Sequence, residues 1–383
     1  MTQQAGSSRM LRELNEAAAL GHLLESGPLT RGDLCGLTGL ARPTISDVVR
    51  RLQDAGLARI VGRTSGGRGP NADIYAVNPN AAYGVAVSLR AQDSTMAAAV
   101  CDLDGEVRAQ VELPVEGVDP VDAVAAAVAA AAKQARVAVR RVEHVRLAVP
   151  GSYHENAEVI RYVDVPGWSR PGLVGEIRAR LRTDLAVDND VNLAAVAERA
   201  HGIAADADGF ALLWLGEEGL GLAIDLGGTL LRGARGGAGE IGYMPVGLPS
   251  AERIDFHDLV SGEAIRALAA EHGIVADTGH LAVAAAAEAG RSGCAAFIDA
   301  LAVRIAVGLA AVIAVLDPPL VVLAGEVGQA GGAVLHTAVG AALREISVLE
   351  TTVASTALTD DPVLRGAIDT TLAAVREAVL DRG

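Results

Sequence analysis

Three short amphipathic segments and a glycine-arginine hairpin, packed into the first 77 residues, constrain the fold of this chain more tightly than any other feature. Between Met10 and Glu25 apolar residues recur at helical spacing (Leu11, Leu14, Ala18, Leu20, Leu23, Leu24), and Ser26-Gly27-Pro28 ends the run. Thr30 stands where its hydroxyl can cap a second helix, Arg31 to Leu37, with Asp33 three residues on as the reciprocal partner of a capping box. Thr38-Gly39-Leu40 forms the turn. A third helix starts near Arg42-Pro43, proline being tolerated at a helix start, and places Ile45, Val48, Val49 and Leu52 on its buried side. Strands over Leu57 to Val61 and around Ile74 to Val77 flank the loop Arg63 to Pro70. Residues 1–78 are therefore expected to form a winged helix-turn-helix.

The third helix leaves Arg42, Thr44, Ser46, Asp47, Arg50 and Arg51 outside. Short hydroxyls and arginines near a helix start suit entry into the major groove of DNA, where side chains read base edges and first-turn amides approach phosphate. Arg42, Thr44, Ser46 and Arg50 are the expected contacts there, and Arg63 and Arg68, on the glycine-flanked tip, those in the minor groove. Charge agrees with this division. The first 78 residues carry nine Arg against seven Asp and Glu, whereas the remainder holds 23 basic and 40 acidic residues. An acidic body repels nucleic acid, so the head must make any DNA contact.

The length allows two or three domains, and an apolar fraction of 51% with only 3% aromatic residues fits helix-covered sheets rather than disorder. The longest uncharged apolar run, Ile305 to Leu316, falls short of the roughly 20 residues a membrane helix needs. The first residues are Gln- and Ser-rich without an apolar stretch. A cytoplasmic protein with no membrane partner is expected. Cys35, Cys101 and Cys294 are too scattered to suggest disulfides or a zinc ribbon.

From Ala82 the pattern runs strand, strand, an Asp104-Gly105 turn, strand, an alanine-rich helix over Val121 to Val139 and a strand over Val145 to Val149, with a similar unit after Gly209. This alternation implies a mixed sheet covered by helices. Together with Val149-Pro150-Gly151, the segment Asp164 to Trp168 (DVPGW), Asp188 to Ala195 (DNDVNLAA), Gly237 to Gly242 (GAGEIG) and Val321 to Gly325 (VVLAG), it resembles the ROK family of repressors, open reading frames and sugar kinases over residues 8–380. The resemblance implies an α/β, two-lobed, actin-like (ribonuclease H-like) body over residues 79–383. Lobe one would be 79–189 plus 363–383, lobe two 190–362, with a sugar cleft between them and assembly as a homodimer or tetramer. In the family's kinases the residue matching Asp190 is the catalytic base. Asn189, Glu240 and Asp164 match sugar-contacting positions, and Tyr243 and His257 fall where the family places a zinc-binding His and another sugar-contacting Glu.

The departures concern chemistry. Phosphoryl transfer needs a backbone cradle and a Mg²⁺ site. Where the kinases have Asp-x-Gly-Gly-Thr, this chain has Ala86-Val87-Ser88-Leu89-Arg90, and Glu217 and Glu218 stand in the second phosphate loop, opposing a triphosphate. A matching Asp225 to Thr229 (DLGGT) lies in the wrong place and reads as a β-turn at Gly227-Gly228. Without the family's cysteines, and with Tyr243 at the His position, a four-ligand zinc site is not expected, and no cofactor is assigned. The expected protein is a DNA-binding regulator, a repressor sooner than an activator and not an enzyme, that reads an inverted-repeat operator in double-stranded DNA and senses a carbohydrate-like effector. The alternatives are an ATP-dependent sugar kinase with an appended head and a regulator whose body only dimerises.

Overall fold

The computed structural model describes residues 2–64, 71–154, 157–163, 165–247, 253–289 and 292–382. The head comprises α1 (Thr2–Ser26), β1 (Leu29–Thr30), α2 (Arg31–Thr38), α3 (Arg42–Asp54), β2 (Ala58–Arg63) and β3 (Asp73–Val77), its strands ordered β1-β3-β2. The capping box forms: the Asp33 N–H donates to Thr30 Oγ1 at 3.2 Å and the Thr30 N–H to Asp33 Oδ2 at 2.9 Å. Two amides that a helix start leaves open are thereby satisfied. Ile45, Val48, Val49 and Leu52 are all buried against Leu20 and Leu23 of α1 and Leu34 of α2.

Two details of the head differ from expectation. Helix α1 begins at Thr2, and Leu11 and Leu14 are 60% and 59% exposed, because the bundle packs on the C-terminal half of α1, where Ala19, Leu20 and Leu23 are buried. Helical spacing marks an apolar side but not how far the partner helices reach. Strand β1 was not anticipated, since two residues carry no periodicity. The wing tip, with Arg68, lies outside the described residues.

Lobe one contains β4 (Tyr83–Arg90), β5 (Thr95–Asp102), β6 (Val107–Pro114), α4 (Pro120–Gln134), β7 (Val142–Val149), a small hairpin of β8 (Ser152–His154) and β9 (Val159–Arg161), α5 (Leu173–Leu181) and β10 (Asp184–Asn189). Its main sheet has the order β10-β7-β4-β5-β6, an antiparallel meander extended by two parallel strands. Helix α4 stops short of Val139 because Arg136 turns into the left-handed region at φ 57°. Helices α4 and α5 cover one face of the sheet. The other face bears α6 (Asp190–His201) and the last helix, α12 (Pro362–Leu380), across a seam of small residues: Ala86, Ala97, Ala99 and Ala148 against Leu193, Ala194, Leu364 and Ala367.

Lobe two holds β11 (Phe210–Leu215), β12 (Leu220–Asp225), α7 (Phe256–Val260), α8 (Gly262–Glu271), α9 (Gly279–Ala289), α10 (Ser292–Leu316), β13 (Leu320–Ala324), α11 (Gly325–Ile346) and β14 (Thr352–Ser355), in the sheet order β12-β11-β13-β14. By length and composition α10 is apolar enough to cross a membrane. Counting uncharged residues missed this because Asp299 and Arg304 interrupt the run. Its Phe297, Leu301, Ile305, Leu309 and Ile313 are buried in the core of lobe two. The unit after Gly209 repeats the first lobe only as far as its hairpin. Beyond β12 the chain turns at Gly227 and Gly228 (φ 63° and 86°), with Leu226 and Thr229 exchanging backbone hydrogen bonds, so the expected β-turn is present.

Helix α12 joins the parts. Its start at Pro362 and Val363 lines the cleft between the lobes, while Val375 and Val379 near its end are buried with Leu20, Leu23 and Tyr75 in the core of the head. Arg376 reinforces the joint by donating to the carbonyls of Leu103 and Asp104, each at 3.2 Å.

Candidate functional site

Two surfaces carry the candidate residues. On the head, Arg42 is exposed at the start of α3 and has no hydrogen bond or ion pair among the described residues. Thr44 and Ser46, one and three positions further into the helix than Pro43, are half-buried. Arg50 is exposed yet engaged, donating to Asp47 at 2.6 Å and Asp54 at 3.0 Å. Arg51, read as outward-facing from the sequence, instead pairs with Glu16 of α1 at 3.0 Å and Asp47 at 2.7 Å, tying the helices together. On the wing Arg63 pairs with Asp73 at 2.8 Å. Exposed pairs of this kind are worth little in water and exchange readily for a phosphate. Sequence reading passed over Arg59, exposed on β2; an arginine on a strand whose partners were unknown gave no signal. Tyr75, buried in the head, accepts a hydrogen bond from Arg31, whose guanidinium lies 5.3 Å from the ring centroid.

The second surface is an interlobe cleft of about 1180 Å³. It brings together Asn189 and Asp190 at the start of α6, Glu240 and Tyr243 from the loop after β12, and His257 of α7. Asp164 lies outside the described residues. The loop is held by geometry that only glycine allows at one point: Gly239 has φ 92°, its carbonyl accepts from the Leu222 N–H at 2.9 Å, and a Cβ there would meet the Leu222 carbonyl oxygen at 1.8 Å. Glu240, the next residue, is thus fixed over the cleft.

Asn189 caps α6, accepting from the Asn192 N–H at 3.0 Å and donating to the Gly151 carbonyl at 3.1 Å. This orients Asp190, whose Oδ1 accepts from the Val191 N–H at 2.8 Å. Burial pushes the Asp190 carboxyl up to about 7, opposed by the Val191 amide and reinforced by the charges of Glu240 and Glu326. Burial alone raises Glu240 to about 7 as well. Two carboxyls poised near neutrality can each donate or accept a hydrogen bond, the capacity needed to hold sugar hydroxyls. Tyr243 and Tyr162, both lining the cleft, pack with their rings tilted, centroids 5.3 Å apart and planes at 46°, while His257 is exposed at the rim.

The far side of the cleft is built differently. Leu89 and Ser88 are buried in β4, and Arg90 is bound to Asp361 and Glu112. Glu217 turns its carboxylate onto the N-terminus of α9, accepting from the Gly279 N–H at 2.8 Å and the His280 N–H at 3.1 Å. Glu326, in the first turn of α11, accepts from Gln92 of lobe one at 2.7 Å, and its other oxygen is buried without a partner. Among the described lining residues Arg90 is the one Arg or Lys, and it is already neutralised. These groups do not fit a Mg²⁺-triphosphate. Nor is there, among the described residues, a donor set for the family's zinc: Cys35 lies in the head, Cys101 in β5 and Cys294 in α10, and Tyr243 takes the His position.

Comparison with known proteins agrees with this construction. Residues 12–69 match the MarR family. The xylose repressor of Bacillus subtilis (strain 168) is 22% identical over 241 residues, a match that covers 62% of this chain and 61% of that protein. A crystal structure described as a ROK family transcriptional regulator, homologous to the E. coli MLC protein, superposes with a TM-score of 0.74 at 20% identity and covers 97% of this chain and 98% of the other. The body alone superposes on a ROK hexokinase from Thermus thermophilus with a TM-score of 0.62 at 25% identity, over 77% of this chain and 99% of that one. Since the model for the ROK family matches residues 87–372, which take in both lobes and most of α12, the chain belongs to the ROK family.

Proposed function

We propose that this protein is a sugar-responsive transcriptional repressor, in which residues 1–78 bind an operator and the ROK body, residues 79–383 with lobes 79–189 plus 363–383 and 190–362, senses a carbohydrate-like effector in its cleft. One observation carries the reading: α12 lines the cleft with Pro362 and Val363 and buries Val375 and Val379 in the core of the head. Helix α12 of lobe one would thereby couple lobe closure to the head. A ligand shifts such an equilibrium only by binding the two arrangements with different affinity. A homodimer reading an inverted repeat would place its half-sites roughly one helical turn, about 34 Å, apart.

Two of the relatives lend support by name, the xylose repressor and the ROK family transcriptional regulator that matches nearly the whole chain, whereas the hexokinase matches the body alone. Arg42, Thr44, Ser46 and Arg50 would face the major groove and Arg63 and Arg68 the minor groove. Asn189, Asp190, Glu240, Tyr243, His257 and Asp164 would surround the effector. For DNA, the test is selection of a bound duplex from a random library followed by anisotropy titration. Arg42→Ala is expected to weaken binding about tenfold or more, within the 1–3 kcal/mol typical of a base-reading or phosphate-positioning arginine; unchanged affinity would remove α3 from the groove.

The same cleft argues against catalysis. Asp190 occupies the position of a general base, but Glu217, Glu326 and the Arg90–Asp361 pair leave no cationic cradle for a nucleotide. Coupled ADP-release assays over common hexoses and amino sugars are expected to show no turnover. Turnover abolished in Asp190→Asn would make the chain a kinase.

A further inference from the structure

The N-termini of helices are natural anion sites, because their free amides and aligned dipoles favour negative charge. Around this cleft three helix starts are held by carboxylates of the chain itself, and a fourth carboxylate lies in the first turn of α11. Asp190 is the first residue of α6 and accepts from Val191. Glu217 accepts from Gly279 and His280 at the start of α9. Asp361 caps α12, accepting from the Leu364 N–H at 3.0 Å, and at the same time neutralises Arg90. Glu326 lies in the first turn of α11, and Gln92 from the opposite lobe secures it at 2.7 Å.

We propose that this lining of carboxylates makes the cleft select an unphosphorylated sugar and reject its phosphate ester, with Glu326 as the specificity-determining residue. The proposal rests on the sugar-sensing reading and sharpens it. A phosphate brought toward α11 would meet the charge of the Glu326 carboxylate in that helix's first turn, one oxygen of which is buried without a partner, with no free Arg or Lys among the described lining residues to offset it. Rejection by like charge is a more effective discriminator than a missing attraction, since it penalises the wrong ligand without weakening the right one. Glu326 is the residue to alter because its hydrogen bond from Gln92 survives the change to Gln. Asp190 is a candidate sugar contact, Asp361 holds Arg90, and Glu217 holds α9, whereas Glu326→Gln keeps an oxygen to accept from Gln92 and removes the charge.

The test uses the full chain and paired probes: glucose and glucose 6-phosphate, mannose and mannose 6-phosphate, N-acetylglucosamine and its 6-phosphate, read by calorimetry and by release of the selected DNA duplex. The expected result is that at least one free sugar binds and that its phosphate binds at least tenfold more weakly. In Glu326→Gln the ratio of the two affinities is expected to narrow at least fivefold, with DNA binding in the absence of sugar serving as the control for folding. A phosphate that binds as tightly as its parent sugar, or a ratio unmoved in Glu326→Gln while the variant still binds DNA, overturns the proposal but leaves sugar sensing intact. If no member of any pair binds, sugar sensing itself is lost, and the proposal with it.

Discussion

Replacing Gly366 with alanine is expected to destabilise the protein by about 3 kcal/mol or more, the cost of overpacking where backbone must move. Helix propensity predicts the opposite sign, a gain of about 1 kcal/mol for Gly to Ala in a helix interior. Tertiary packing decides. Gly366 lies where α12 crosses α6, and a Cβ there would sit 1.8 Å from the Leu193 carbonyl oxygen and 3.2 Å from the Ala197 nitrogen. Those are backbone atoms, so no rotamer change relieves the contact, and the helices must separate. The effect should extend to function, because α6 begins with Asp190 in the cleft and α12 ends in the core of the head. Urea unfolding of the two proteins measures the first effect; a variant as stable as the parent would show that the helices do not meet at this point.

Asp190→Asn is expected to stabilise the free protein at alkaline pH. The folded carboxyl titrates at about 7 against an ordinary value of 3.8, so its burial costs up to on the order of 4 kcal/mol once it must ionise. The sign follows from proton counting. Between these values the native state holds a proton that the unfolded chain has released, so the stability contributed by this group is full below about 4 and is lost as the pH rises through about 7. Asparagine cannot ionise and escapes the loss. The stability difference between variant and parent should therefore grow from near zero around pH 4 to a few kcal/mol at pH 8, as read from urea midpoints across that range. A difference independent of pH would mean that Asp190 is ionised throughout. Glu240, raised to about 7 by burial, should behave in the same direction. A site that lowers the stability of the empty protein in this way is typical of one shaped for a ligand.

Legibility from the sequence followed the range of the interactions involved. The capping box at Thr30 and Asp33 and the buried positions of α3 could be read because they depend on contacts three or four residues apart. The turn at Gly227-Gly228 could be read for the same reason, despite its resemblance to a phosphate loop. The exposure of Leu11 and Leu14 was not legible, because it depends on where other helices end. Asn189, Asp190, Glu240, Tyr243 and His257 were gathered through the family resemblance and do line one cleft. Glu326 and Tyr162 carried no local signal. The importance of Glu326 comes from Gln92, more than two hundred residues away, and that of Tyr162 from the ring of Tyr243.

What the sequence determined by itself was the set of parts: a helical head with its caps, an acidic body of alternating strands and helices, and the loss of the glycine cradle at Ala86 to Arg90. The first two follow from backbone propensity, periodicity and charge, which act over a few residues, and the third is what the family resemblance implies. The tertiary structure alone decided that α12 belongs to both the cleft and the head, that Arg51 braces the bundle instead of facing outward, and that carboxylates from four separate segments gather around one cavity, three of them at helix starts. The physical reason is that burial and electrostatic neighbours are set by which segments pack together, and residues as distant as Arg90 and Asp361 become partners only when the chain closes.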